Sequence, residues 1–213
     1  MRHFPRHYCA VFLLSAALSP SFAASINAVA VDKSGAEMAD VIIYATPLAG
    51  TVPPPVKAEA AVISQQGLQF SPYVTALRVG TEIKFPNNDK IEHHVKSFSA
   101  AKEFEIKIYE RGTPPPVLFD KPGVVVVYCL LHGWMRAYVM VLDTPYFAKS
   151  GVAGAASIDN LPEGSYELKA WHPDMGIIKL PLVQTVKAGD KSAPPVKFAF
   201  DFIPKKRKDA AKG

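Results

Sequence analysis

Three observations predict an all-β fold. Apolar residues at helical spacing are nearly absent from the chain. Short apolar or alternating runs recur instead between turn residues, as half-buried strands require. The 213 residues include 19 prolines and 13 glycines, and two proline clusters, VPPPV at 52–56 and TPPPV at 113–117, stand where a central strand cannot pass.

Residues 1–23 read as an export signal: Arg2 and Arg6 precede the apolar run from Ala10 to Leu18, and Pro20 leads to a cleavage point after Ala23. The run is far below the ~18 apolar residues a spanning helix needs, and no later run reaches that length, so the mature protein is expected to be periplasmic, without stable membrane insertion. No adjacent arginines precede the run, so export of the unfolded chain is expected, with any metal acquired on the far side.

The strands follow in order. INAVAVD (26–32) runs into a Ser34–Gly35 turn; DVIIYA (40–45), TEIKF (81–85), VVVVYC (124–129), AYVMVL (137–142) and SYELKAW (165–171) come next. VKFAFDF (196–202) places Val196, Phe198, Phe200 and Phe202 on one face. In VVVVYC, Val125, Val127 and Cys129 face one side and Val124, Val126 and Tyr128 the other. Both faces are apolar, so a second layer must cover the strand. The first proline cluster reads as a boundary, as does Asp143-Thr144-Pro145. The expected organisation is a central domain at 57–147, flanking β-sandwich segments at 24–56 and 148–204, and a basic tail at 205–213.

The formal charge of +5 falls to +3 once Arg2 and Arg6 are removed (22 − 19), and the last nine residues, KKRKDAAKG, carry +4 (5 − 1), leaving the body near −1. The basic pI therefore comes from a tail without interleaved aromatics, which argues against a nucleic-acid-binding face. A solvated tail, or weak docking to an acidic partner or anionic surface, accounts for it.

Cys9 lies in the export signal, so Cys129 is the mature chain's single cysteine. Exported thiols usually pair, and an unpaired one is exposed to oxidation unless it is buried or coordinated. His132 and Met135 follow Cys129 as C-x2-H-x2-M, and His93 follows the turn PNND. A thiolate, imidazoles and a weak thioether form the ligand set of a copper electron-transfer site. Zinc is a poorer fit, because a structural zinc site wants four strong ligands and a thioether is a weak one. Met140 reads as core, and His172 as a turn histidine stacked near Trp171. No paired carboxylates, nucleophile–base pair or phosphate-cradling loop is evident, so no catalytic residues and no enzyme are expected.

The strings GTEIKFPNNDKIEHHV and FDKPGVVVVYCLLHGWM resemble the cupredoxins, the plastocyanin-like blue copper proteins, with a ligand loop similar in length to that of amicyanin. The resemblance covers about Lys57 to Pro145. It implies a Greek-key β-sandwich with one copper ion, Cu(I)/Cu(II), near one end, held by His93, Cys129, His132 and Met135. It further implies a monomeric carrier of single electrons to a redox protein partner, with electrons passing through the His132 ring edge. HHVKSFSAAKEFE, DTPYFA and LPEGSYELKAWHP look like the exported plastocyanin-like proteins often labelled methylamine utilization proteins. The flanks, INAVAVDKSGAEMADVIIYATP and SIDNLPEGSYELKAWHP, resemble a transthyretin-like or carboxypeptidase-regulatory sandwich, into which the central domain would be inserted. The chain departs from the common cupredoxin pattern at His94, where many members have Asn. His94 would then bond across to the cysteine loop through a ring N–H, or replace His93 as ligand. Two alternatives stand beside electron transfer: a copper-binding or delivery protein, and a structural sandwich with a vestigial site.

Overall fold

Alternating apolar side chains need a partner layer on every face they present, and the fold satisfies this with stacked sheets. The computed structural model describes residues 24–55, 58–190 and 192–205. The export signal expected at 1–23, with its expected cleavage point and Cys9, and the residues beyond Lys205 lie outside the described residues. The first strands are β1 (Ala24–Val31), β2 (Ile42–Pro47), β3 (Ala61–Val62), β4 (Ser64–Gln65), β5 (Phe70–Ser71), β6 (Val74–Arg78), β7 (Thr81–Lys84), β8 (His93–Ser99) and β9 (Lys102–Tyr109). They continue with β10 (Val117–Phe119), β11 (Gly123–Tyr128), β12 (Arg136–Leu142), β13 (Phe147–Lys149), β14 (Ala155–Leu161), β15 (Gly164–Trp171), β16 (Leu182–Ala188) and β17 (Val196–Ala199). Among the described residues the only helical element is a 3-10 turn at Pro173–Met175, and no helix is long and apolar enough to cross a membrane. The all-β expectation is met.

Residues 61–142 form a five-stranded sheet, β6-β12-β11-β8-β9, facing a three-stranded sheet, β10-β7-β3. Their shared core takes Ile83, Phe85 and Phe119 from one side and Val95, Val125, Val127 and Val139 from the other, all fully buried. Each such side chain withdrawn from water contributes on the order of 1.5–3 kcal/mol. Gly123 opens β11 at φ 136°, where a Cβ would meet Ala101 Cβ at 2.9 Å, so the hairpin turn packs against the strand only because no side chain intervenes.

The segments on either side form two further sheets, β14-β1-β17 and β13-β2-β15-β16, with β17 parallel to β1. Their core includes Ala28, Ile42, Ile158, Leu168 and Phe198. It also takes in Val126, Tyr138, Met140 and Leu142, from the second face of the five-stranded sheet. The odd positions of β11 thus serve one core and Val126 the other, which is why the strand reads as an unbroken apolar run. Tyr138 meets Trp171 at 6.1 Å between ring centroids, Lys149 Nζ donates to the Val74 carbonyl (3.0 Å), and Thr144 Oγ1 donates to the Ala45 carbonyl (2.7 Å).

Candidate metal centre

Cys129 is the first residue after β11 and Met135 the last before β12. The Cys129 N–H donates to the Met135 carbonyl (3.2 Å) and the Met135 N–H to the His132 carbonyl (2.8 Å), closing the seven residues into an arch. Both side chains point back into the core and are 2% and 1% exposed, while His132, at the crown, is half-buried. His93 reaches the same end as the first residue of β8, paired with Tyr109 and fully buried.

These elements bring three of the four expected ligands together: one ligand atom each from His93, Cys129 and His132 lie within 4.8 Å of one another. Cys129 Sγ stands 3.8 Å from His93 Nδ1 and 3.5 Å from His132 Nδ1. The imidazoles meet edge to face, with centroids 5.0 Å apart. Metal–sulfur and metal–nitrogen bonds of about 2.3 and 2.0 Å separate S from N by about 3.5 Å in a tetrahedral site and about 3.7 Å in a trigonal one. The group therefore has the spacing for donors converging on one ion.

Asp89 orients the buried histidine, a role not recognised from the sequence. Its Oδ2 accepts from His93 Nε2 (2.8 Å) and from the Leu68 N–H (3.0 Å), and its Oδ1 from the Gly67 N–H (2.7 Å). A proton on Nε2 leaves the Nδ1 lone pair free to face Cys129. Burial acts to raise the Asp89 carboxyl, but the bonds from His93, Leu68 and Gly67 outweigh it and hold the group below the usual carboxylate range. Asn87 shapes the preceding turn: its Oδ1 accepts from the Asp89 N–H (2.9 Å) and its Nδ2 donates to the Ile91 carbonyl (2.8 Å). Tyr109 donates to the Phe85 carbonyl (2.7 Å) and accepts from Gln65 Nε2, and burial pushes its phenol up to about 12. Burial, reinforced by His93, lowers the pKa of His132, which keeps its ring neutral and able to donate a lone pair.

His94 differs from expectation. Its ring does not bond the cysteine loop; Nε2 pairs with Glu105 Oε1 on β9 (3.0 Å), and Glu105 Oε2 also takes Lys96 Nζ (3.1 Å). The backbone N–H of His94 points at Cys129 Sγ instead, at 3.4 Å. Side-chain alternation, with a bulge between His93 and Val95, sends consecutive imidazoles to different surroundings and leaves His94 out of the three-residue group. His172 is also elsewhere: its Nδ1 accepts from the Asp174 N–H (3.1 Å), and its ring packs on Phe202 (5.7 Å) rather than stacking on Trp171.

The crown of the arch is apolar and open. Leu130, Leu131 and Trp134 are 57%, 45% and 48% exposed. The Trp134 ring lies 5.6 Å from that of His132, and its indole N–H donates to the Leu68 carbonyl (3.1 Å).

No protein-family model and no curated protein matches the chain. Among solved structures it is similar to a purple cupredoxin from Nitrosopumilus maritimus, at 24% identity over 38% of this chain and 99% of that one, with a TM-score of 0.35. It is similar to the Cu(I) form of an amicyanin variant, at 19% identity over 46% of this chain and 99% of that one, TM-score 0.36. A third similarity is to a copper-containing nitrite reductase from Thermus scotoductus, at 22% identity, spanning 46% of this chain but only 25% of the reductase, TM-score 0.38.

Proposed function

We propose that this chain is a periplasmic copper protein that carries single electrons between redox partners and has no catalytic turnover of its own. The ligands are His93 Nδ1, Cys129 Sγ, His132 Nδ1 and, more weakly, the Met135 thioether. The carrying observation is the convergence of one sulfur and two imidazole nitrogens, at 3.8 and 3.5 Å, in a buried end of a β-sandwich. A copper ion there would supply reversible one-electron chemistry between Cu(I) and Cu(II).

The protein groups divide the work. Cys129 offers a soft donor whose sulfur already faces the His94 N–H. Asp89 and the loop hydrogen bonds fix His93, so the donors need little rearrangement when the charge of the site changes. Half-buried His132, ringed by Leu130, Leu131 and Trp134, offers an exit to the surface, and a small apolar rim suits a short-lived redox complex. Burial of Cys129 and Met135 keeps small molecules from the sulfur donors, which favours electron transfer over substrate chemistry.

Metal analysis and a visible spectrum of the exported protein test this reading. Copper at one equivalent and an intense charge-transfer band are expected, and Cys129→Ser should abolish the band while leaving the fold intact. A colourless, zinc-loaded wild type would overturn the proposal. Loss of copper on each reduction would point to delivery rather than electron transfer.

A further inference from the structure

Beside the metal loop a cleft of about 700 Å³ opens between the loop, the start of β6 and the turn after β15. That volume falls within the ~300–1,000 Å³ of small-molecule sites. We infer that this cleft binds a planar aromatic monoanion of the aryl carboxylate class. The cleft shares Trp134 and Met135 with the metal loop, but its cations and its aromatic surface are supplied by the chain itself and require no bound ion.

The lining carries the inference. Phe70, Tyr73, Trp134 and Tyr138 all line the cleft. Nearly half the Trp134 side chain is exposed, which leaves indole surface for a flat ring. Tyr73 and Tyr138 meet edge to face, with ring centroids 5.4 Å apart. Arg136 also lines the cleft, and its guanidinium carbon sits 5.8 Å from the centre of the Tyr128 ring, a contact that favours one placement of the side chain. No carboxylate pairs with Arg136 among the described residues. Lys205 supplies a second cation, and Asp174, the cleft's one carboxylate, is engaged by the Lys205 backbone N–H at 2.7 Å. Two cations against one carboxylate leave one positive charge (2 − 1) in an aromatic cleft. A guanidinium fork matches a carboxylate through two parallel hydrogen bonds, and an aryl group attached to it can lie along the indole.

Calorimetric titration of the full mature chain with 2-naphthoate tests this, in metal-free and copper-loaded protein. One-to-one binding is expected, about tenfold or more tighter than that of neutral 2-naphthamide or of non-aromatic cyclohexanecarboxylate. Arg136→Gln should weaken binding about tenfold or more and Arg136→Lys by less, because the charge stays but the fork is lost. Circular dichroism establishes that each variant is folded. Equal binding of either control, a folded Arg136→Gln with unchanged affinity, or no saturation by ~10 mM would overturn the inference. Naphthoate binding without a visible copper band would count against the metal proposal alone, and a copper band without naphthoate binding against the cleft alone.

Discussion

At the scale of single residues, the donors are set by alignment more than by chemistry alone. His93 and His94 are both buried, yet of the two rings only that of His93 faces Cys129, and Asp89 fixes which of its nitrogens is free. Asp89→Ala should therefore weaken copper binding about 10- to 100-fold, the usual effect of losing a histidine's hydrogen-bond partner. A competitive chelator titration measures this, and unchanged affinity would show that packing alone orients His93. Met135→Gln should keep the metal but lower the reduction potential, because a harder donor favours the cupric form; voltammetry reads the shift. Part of the site was legible in the sequence: the spacing C-x2-H suits a short loop between two strands, and the structure sets the ligand atoms of Cys129 and His132 beside that of His93. Asp89 was not: four residues before His93, it looks like ordinary turn chemistry, and its role appears once the β4–β5 loop brings the Gly67 and Leu68 amides to its oxygens. His94 misled for a related reason, since sequence shows which residue follows the ligand but not that its backbone would face the sulfur.

At the scale of elements, alternation exposed the apolar strands but not the hairpin of β8 and β9. β9 is absent from the strands expected from the sequence, although it alternates: Phe104 and Ile106 are half-buried against the core while Glu103, Glu105 and Lys107 are exposed, and no position is fully buried. The turn after β15 carries its own pH dependence. His172 caps it by accepting the Asp174 N–H, which requires an unprotonated Nδ1, and burial moves the ring's pKa below the ordinary histidine value of 6.5. Between its folded pKa and 6.5 the folded chain holds fewer protons than the unfolded chain, so stability rises with pH across that window and is lost as pH falls through it. His132 shifts in the same direction, so a single melting curve cannot separate them. His172→Asn retains an acceptor but cannot titrate there. In metal-free protein its stability should fall less than that of wild type between pH 7 and pH 5, by urea unfolding; equal slopes would remove His172 from the pH response.

At the scale of the whole molecule, the five-stranded sheet is a shared wall, and its two faces belong to different cores. The sequence announced this through β11 and β12, whose unbroken apolar runs demanded cover on both sides. It did not show what supplied the cover, because the contacts join residues as distant as Tyr138 and Trp171, or Tyr146 and Tyr166. An isolated 58–147 fragment would keep the donors but expose Val126, Tyr138, Met140 and Leu142, all now buried. At roughly 1.5–3 kcal/mol each, four such side chains correspond to about 6–12 kcal/mol, an upper estimate. That is comparable with the ~5–15 kcal/mol that separates a typical folded domain from its unfolded state. The fragment is therefore expected to aggregate or melt far below the full mature chain, and the full chain to unfold in one calorimetric transition. Replacing Val126, Met140 and Leu142 in the fragment with Thr, Gln and Thr should restore solubility, since these changes make the uncovered face polar while preserving strand-compatible shapes at two positions. A wild-type fragment as stable as the full chain, or two well-separated transitions in the full chain, would show that the flanking sheets are an independent module resting on the sheet rather than its missing half.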